Sequence, residues 1–431
     1  MTKISGFVEW LPEQRIVELQ WLDEMRRIFE SYGFCSIETP AVEEIDALLA
    51  KGETDKEIYV IRRLQEDDGK GSDARLGLHY DLTVPLARYV AEHYNDLVFP
   101  FKRYQMQRVW RGERPQEGRY REFYQCDIDV INNNTLPLYF DAEMPAIIYE
   151  LFKRLDIGDF QLHINNRKIL EGYLQGLAIE KTVPVIRVLD KLDKIGRAGV
   201  LAQLQSELDL TGELAERCLA LASIQTSDAS FVERVRELDV RSDLLSEGLD
   251  ELTFVLSALS DLPAGVVLAD LAIARGFDYY TGTVYEGKLA DFPALGAVCS
   301  GGRYDNLAGS FINRKLPGVG LSIGLTRLFA KLLHEQRLKV GPKCPTQVLL
   351  VLFDEERRGE TLRTARILRE RGLNVEVYPT PIKQGQQLRY AARKGIPYAW
   401  FLPYEGKSHE VKDMRSGEQV PADPATWRLV Q

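Results

Sequence analysis

Cysteine is scarce in this 431-residue chain, and no two cysteines stand at a motif spacing. The five lie at positions 35, 126, 218, 299 and 344. Without a Cys-x-x-Cys pair, neither a zinc ribbon nor a dithiol redox motif is indicated. An odd, scattered set fits a reducing compartment, and a cytoplasmic location is expected. Long apolar runs are also missing. The longest, such as 348–353, fall far below the roughly 20 residues of a membrane span and read as buried strands. Residues 1–14 lack the apolar core of a secretory signal. No internal repeat or low-complexity tract is found. Positive charge is in deficit, with 55 Lys/Arg against 64 Asp/Glu and a net charge of −9. Alone, that balance argues against a nucleic-acid partner. The charge is uneven, however. Residues 345–431 carry 14 Lys/Arg and 11 Asp/Glu, a balance of +3, which leaves −12 for the rest. Fields fade beyond a Debye length of about 8 Å, so local patches decide such contacts. Composition permits RNA binding without showing it.

Apolar residues make up 45 % of the chain, an ordinary share for a globular protein with a sizeable core. At about 150 residues per domain, two to four domains are expected. Apolar residues at helical spacing (Ile16, Leu19, Leu22, Met25, Ile28, Phe29) predict a helix over 12–32, stopped by Gly33 and followed by a strand over 34–40. The polar, glycine-rich stretch 66–72 predicts a mobile loop. A strand is expected over 76–83, a helix from Pro85 to Tyr94, strands within 101–132, a helix over 136–155 and a strand over 160–164. From 168 to 262 the texture changes to Leu, Ala, Glu, Asp and Arg with few aromatics, which predicts an all-helical insert. Strand patterns return from 265 and end in a helix near 333. A Gly/Pro-punctuated linker over 339–345 precedes alternating strands and helices that predict a small parallel α/β unit.

Positive charge is concentrated in one place. Between Lys102 and Arg121 there are seven Lys/Arg against two Asp/Glu. Apolar residues flank a Pro115-Gln116-Glu117-Gly118 turn, the pattern of a β-hairpin. Guanidinium groups grip phosphate bidentately, stack on flat rings and keep their charge. An arginine-lined hairpin is therefore suited to hold phosphate, although an isolated charge run is more often a solvated face.

This hairpin resembles motif 2 of the class II aminoacyl-tRNA synthetases, in the form found in the histidyl-tRNA synthetase family. Arg275-Gly276-Phe277-Asp278-Tyr279-Tyr280 resembles the first histidine signature of that family, and Ser300-Gly301-Gly302-Arg303-Tyr304-Asp305 the second. The segment from Gly318 to Leu328 is similar to motif 3. Residues 12–40 resemble motif 1, which builds the dimer interface in that class, though a simple packing helix reads the same. The matches run in order over nearly the whole chain. The resemblance implies an α/β chain with an α+β, antiparallel-sheet core over 1–167 and 265–338. It further implies a helical insertion domain over 168–264, as a clamp on the tRNA acceptor stem, and an anticodon-binding α/β domain over 345–431. It implies histidine, ATP as substrate, Mg²⁺ and histidine tRNA as partners, a homodimer, and neither a membrane nor a metal held by the protein itself.

The same resemblance assigns residues. Arg111 matches the motif 2 arginine on the α-phosphate and the substrate carboxylate, and Arg275 a second cation at that phosphate; these two are the expected catalytic residues. Glu113 matches the acid near the adenine amino group, Tyr120 is suited to the adenine pocket, and Arg327 matches the γ-phosphate arginine. Arg114 and Gln116 match the loop that reads the acceptor end. Asp81, Leu82 and Thr83 match the segment that binds the α-ammonium. Gln125 and Asp129, four apart on one expected strand, face the same way and match the surrounding shell. Tyr279, Tyr280 and Tyr304 match the imidazole wall; paired tyrosines are equally at home in a core. Two departures stand out. Thr326 replaces the usual glutamate before the motif 3 arginine, and Gln386 replaces a common lysine in the last domain.

Three functions compete. A ligase charging tRNA with histidine uses every one of these segments. A non-catalytic relative, the synthetase-like regulatory subunit of ATP phosphoribosyltransferase, keeps the fold but usually lacks the last domain and the phosphate-binding arginines. Both are present here. A general RNA-binding module leaves the histidine signatures without a purpose.

Overall fold

The computed structural model describes residues 4–49, 57–63, 75–116, 118–274, 280–305, 308–309, 311–404 and 406–429. The loop expected at 66–72, Arg275 and Tyr279 lie outside the described residues. The chain forms two compact units, one of Met1–Val8 and Leu22–Arg337, the other of Glu9–Trp21 and Leu338–Gln431.

In chain order come α1 (Pro12–Ser31), β1 (Cys35–Ser36), β2 (Val42–Glu44), α2 (Ile45–Leu49), β3 (Val60–Ile61), β4 (Leu76–Leu78) and α3 (Thr83–Glu92). There follow β5 (Phe101–Trp110), β6 (Glu122–Ile131), α4 (Tyr139–Leu155) and β7 (Phe160–Asn166). Next are α5 (Arg167–Gly176), α6 (Thr182–Leu189), α7 (Leu192–Ser206), α8 (Gly212–Ala222), β8 (Gln225–Thr226), α9 (Phe231–Arg236) and α10 (Asp243–Ala258). The first unit ends with β9 (Val267–Asp270), β10 (Thr283–Leu289), β11 (Ala297–Tyr304), β12 (Gly318–Gly324) and α11 (Leu325–His334).

Nine of these strands form one sheet in the order β1-β5-β6-β12-β11-β10-β7-β9-β8. Only β1/β5 and β7/β9 pair in parallel. Side chains alternate across a strand, and here the two faces differ in chemistry. Cys126, Ile128, Val130, Leu321 and Tyr285 share one face, against which α4 packs; the Tyr285 hydroxyl donates to the carbonyl of Asp141 at 2.8 Å. The opposite face carries a polar ladder. Arg103 pairs with Asp129, Gln105 with Asp127 and Gln107 with Gln125 across β5 and β6. Gly320, Ser322 and Gly324 continue it on β12.

The glycines of β12 lie inside a strand. Their cause is a close approach between strands. A Cβ on Gly301 would come 2.0 Å from the carbonyl of Gly320, and one on Gly320 would come 1.9 Å from a carboxylate oxygen of Asp129. A smaller sheet, β2-β4-β3, stands beside the start of α3 in sequence.

Helices fill the stretch from α5 to α10 except at β8, which pairs with β9 at the edge of the large sheet. Two residues are too few to show a strand period, so the sequence did not reveal them. Glycine lets α5 and α10 meet closely, since a Cβ on Gly172 would lie 2.3 Å from the backbone nitrogen of Leu245.

The second unit contains β13 (Val348–Leu350), α12 (Arg358–Glu370), β14 (Val375–Val377), α13 (Gln384–Lys394), β15 (Tyr398–Phe401), β16 (Glu410–Asp413) and β17 (Gln419–Pro421). Its sheet runs β14-β13-β15-β16-β17. The first three strands are parallel, as expected, but β16 and β17 add an antiparallel hairpin. That hairpin is mostly polar, half-buried along β16 and exposed along β17, so it lacks the apolar pattern that marks a strand in sequence. Val348, Leu350, Leu368 and Trp400 form the core, with Trp427 packed against it.

Candidate functional site

A cleft of about 1010 Å³ opens over the polar face of the large sheet. Asp81, Thr83, Arg111, Glu113, Gln116, Tyr120, Gln125, Tyr280 and Arg327 all line it. A recess of about 20 Å³ shares Thr83, Tyr280, Ser300 and Ser322 with the cleft and adds Asp127, Asp129 and Tyr304.

Arg111 leaves β5 as the hairpin turns, and its backbone N–H donates to the carbonyl of Arg121 at 2.9 Å. Its guanidinium donates from Nε to the carbonyl of Tyr80 at 3.0 Å and from Nη2 to Oε1 of Gln125 at 3.2 Å. It also lies 5.1 Å from the centre of the Phe123 ring. One side chain thus ties the hairpin to the segment that opens α3. Asp81 caps that helix, accepting the Val84 N–H at 3.1 Å. Leu82 is fully buried and lines neither cavity.

The hairpin loop is held by its own charges. Arg119 pairs with Glu113 at 3.0 Å, and Arg121 donates to the Glu113 carbonyl at 3.1 Å. Gly118 has φ 72°, a left-handed conformation suited to glycine. A Cβ there would lie 3.3 Å from Nε of Arg327, so the loop and this arginine sit close together. Arg327 is the third residue of α11 and donates to the carbonyls of Ala297, at 3.1 Å, and Leu295. Beside it, the hydroxyl of Thr326 accepts the backbone N–H of Tyr124 at 2.9 Å. The residue at the usual glutamate position therefore fastens α11 to β6. Arg114 is exposed and lies outside the cleft lining, while exposed Gln116 lines it.

Gln125 and Asp129 do face the same way on β6. Gln125 donates from Nε2 to Ser322 Oγ at 2.7 Å. Asp129 forms a buried ion pair with Arg103 at 2.6 Å and accepts the Tyr304 hydroxyl at 2.9 Å. Tyr280 packs with Ile273 and Val284 and walls both cavities. The side chains that sequence reasoning passed over are Arg103, Asp127, Ser300 and Ser322. The two-residue strand period that selected Gln125 and Asp129 also selects Asp127 between them.

Burial pushes the Asp127 carboxyl up to about 7, opposed by Arg103 and by hydrogen bonds from Ser322 and Gln125, and assisted by Asp129. The folded state therefore holds this proton more tightly than the unfolded chain, where an aspartate titrates near 4. Ionising Asp127 costs folded stability, from nothing below about pH 4 to its full value above about pH 7. Asn resembles the protonated acid. Asp127→Asn is expected to raise the ligand-free melting temperature more at pH 8 than at pH 5, as calorimetry would show.

Among the described residues no helix is long and apolar enough to cross a membrane. A family model described as histidyl-tRNA synthetase matches residues 6–328. The chain is 59 % identical over 427 residues to a histidine–tRNA ligase of Thermobifida fusca, covering 99 % of this chain and 98 % of that relative. It superimposes with a TM-score of 0.87 on the crystal structure of histidyl-tRNA synthetase from Nostoc sp. PCC 7120, at 41 % identity and covering 97 % and 96 % of the two chains. A structure from Bacillus halodurans, described as an ATP phosphoribosyltransferase regulatory subunit/histidyl-tRNA synthetase, gives a TM-score of 0.72 at 25 % identity, covering 88 % of this chain and 92 % of that one. With an arginine-anchored hairpin over an antiparallel sheet and this degree of likeness along its whole length, the chain belongs to the histidyl-tRNA synthetase family.

Proposed function

We propose that this protein activates histidine with ATP and passes it to the 3′ end of histidine tRNA. In the first step an oxygen of the histidine carboxylate attacks the α-phosphorus, the bond to the β-phosphate breaks, and pyrophosphate leaves. Such a step depends mainly on positioning and on charge placed where charge develops. The observation that carries the reading is Arg111, whose guanidinium is fixed by Tyr80 and Gln125 on the wall of a cleft large enough for both substrates.

Around it the roles divide by position. Arg111 meets the α-phosphate and the carboxylate, with Arg275 as second cation. Glu113 and Tyr120 take the adenine, and Arg327 the far phosphates. Asp81, Leu82, Thr83, Gln125 and Asp129 belong to the shell around the histidine ammonium. Tyr279, Tyr280 and Tyr304 form the imidazole wall, and Arg114 and Gln116 take the tRNA acceptor end. Mg²⁺ arrives with ATP, because this ion keeps phosphate and water ligands rather than demanding an all-protein cage. The regulatory reading is weaker, since the chain is 59 % identical to a histidine–tRNA ligase over nearly its whole length.

The division into a core over 1–167 and 265–338, a helical insertion over 168–264 and an anticodon-binding domain over 345–431 completes the proposal, in the cytoplasm. Every proposed ATP and histidine residue precedes 328. Removing 345–431 is therefore expected to spare histidine activation and to cut tRNA charging. A folded, truncated protein that charges tRNA as well as the full chain would end the anticodon assignment.

A homodimer is part of the same reading. Met25, Ile28 and Phe29 of α1 are buried within the protomer, whereas Leu19 on the same stripe is exposed. Exposed Val42 and Leu76 on one face of the three-stranded sheet give further support. Sedimentation at micromolar concentration is expected to give twice the chain mass; the chain mass alone would contradict it.

A further inference from the structure

Beneath Arg111 lies a run of hydrogen bonds that ends on a carboxylate with no assigned task. Arginine has only donors, so Gln125 must turn its Oε1 towards Nη2 of Arg111, which lies 3.2 Å away. The Gln125 amide nitrogen then faces the other way. It donates to Ser322 Oγ at 2.7 Å and to Oδ1 of Asp127 at 3.3 Å. Ser322 is the direct cross-strand partner of Asp127. Gln125 takes up the serine oxygen, so the one hydroxyl proton is available to the carboxyl of Asp127 across the strand pair. Each donor in the series points the same way, from guanidinium to amide to hydroxyl to acid. A carboxyl group keeps an accepting oxygen whether or not it carries its proton, so Asp127 can end such a chain.

We propose that Asp127 is a positioning residue: directly, and with Ser322 beside it, it fixes the amide of Gln125, and through that amide the guanidinium of Arg111. The inference rests on the ligase reading above. The groups facing Asp127 suit this task. Arg103 on β5 offers the opposing charge, Asp129 stands two residues along β6, and Ser322 lies on β12. Tyr304 on β11 gives its proton to Asp129. No charged side chain of the described recess lining other than Asp129 accompanies Asp127 there. With an apolar residue at 127 the Ser322 proton loses its acceptor. The Gln125 amide is then free to rotate and set its N–H groups against a guanidinium that only donates.

The test uses the full chain in histidine-dependent ATP–pyrophosphate exchange, with melting temperatures as a check on folding. Asp127→Ala is expected to lower kcat by about tenfold or more, the scale of one lost buried hydrogen-bond partner, with the KM for ATP within about twofold. Asp127→Asn keeps an oxygen for Ser322 and is expected to recover most of that loss. Ser322→Ala should lower kcat in the same direction but less, since the direct bond from Gln125 to Asp127 remains, and the double variant should be little worse than Asp127→Ala, because both act on the same amide. A folded Asp127→Ala protein with wild-type kcat would overturn the proposal. So would an Asn variant as poor as the Ala variant, or fully additive losses in the double variant. If Asp127→Ala does not fold, the Asn and Ser322 variants decide alone: a wild-type rate for Ser322→Ala rejects the chain. If the wild-type protein shows no exchange with any amino acid, the ligase reading falls first and this inference with it.

Discussion

Replacing Arg111 by alanine is expected to slow adenylate formation by about 10²–10³, or roughly 3–4 kcal/mol, the usual loss for one donor aimed at developing charge. The expectation follows from where the guanidinium is held. Its bonds to Tyr80 and Gln125 and its contact with the Phe123 ring leave one edge for substrate, with little freedom to relax. Contacts that strengthen in the transition state show in the rate of the chemical step more than in ground-state binding. Histidine affinity should therefore fall less than the single-turnover rate. Arg111→Lys should recover only part, because one ammonium cannot reproduce the planar fork that reaches both Tyr80 and Gln125. Rapid-quench measurement of adenylate beside equilibrium histidine binding separates the two effects. An alanine variant that forms adenylate at the wild-type rate would remove Arg111 from the chemistry.

The largest expected loss of stability lies elsewhere in the same unit. Arg303 donates from Nε to both carboxylate oxygens of Asp141, at 3.0 and 3.1 Å, and from Nη2 to the carbonyls of Leu136 and Pro137. The Asp141 side chain is fully buried and that of Arg303 only 9 % exposed. Removing one partner of such a pair leaves a buried charge uncompensated, which costs about 3–5 kcal/mol. Asp141→Ala is thus expected to lower the free energy of unfolding by that amount in denaturant titration. The paired change Asp141→Leu with Arg303→Met should cost much less, since replacing a whole buried pair by apolar residues is often neutral. A loss below about 1 kcal/mol in Asp141→Ala would place the pair among the weak surface bridges.

Arg303 also shows how far the sequence could be read. It sits inside a segment resembling a histidine signature, yet its side chain turns to α4 and holds the apolar side of the sheet together. A motif marks a segment, whereas the strand period decides which of its side chains meet the cleft. Tyr304 faces Asp129, and Arg303 faces away. The hairpin was legible because its apolar flanks, turn residues and arginines agree at every level. The facing of Gln125 and Asp129 was legible for the same reason, and Asp127 followed from the same rule but was passed over. The glycines of β12 were not legible as strand. Locally, glycine reads as a turn; here it is required by a neighbour about twenty residues away in sequence, where the backbone of Gly320 meets Gly301. Short or polar strands such as β8, β16 and β17 pair through backbone hydrogen bonds that leave no side-chain pattern. Thr326 could be seen as a departure, but its bond to Tyr124 depends on how α11 meets β6, and only the fold supplies that.

The central claim is that this cleft joins histidine to ATP. The most direct test is ATP–pyrophosphate exchange by the full-length protein with Mg²⁺, run with each of the twenty amino acids in turn. Exchange should appear with histidine alone and should fall by about 10²–10³ in Arg111→Ala. Histidine binding without exchange, or exchange driven by a different amino acid, would contradict the account.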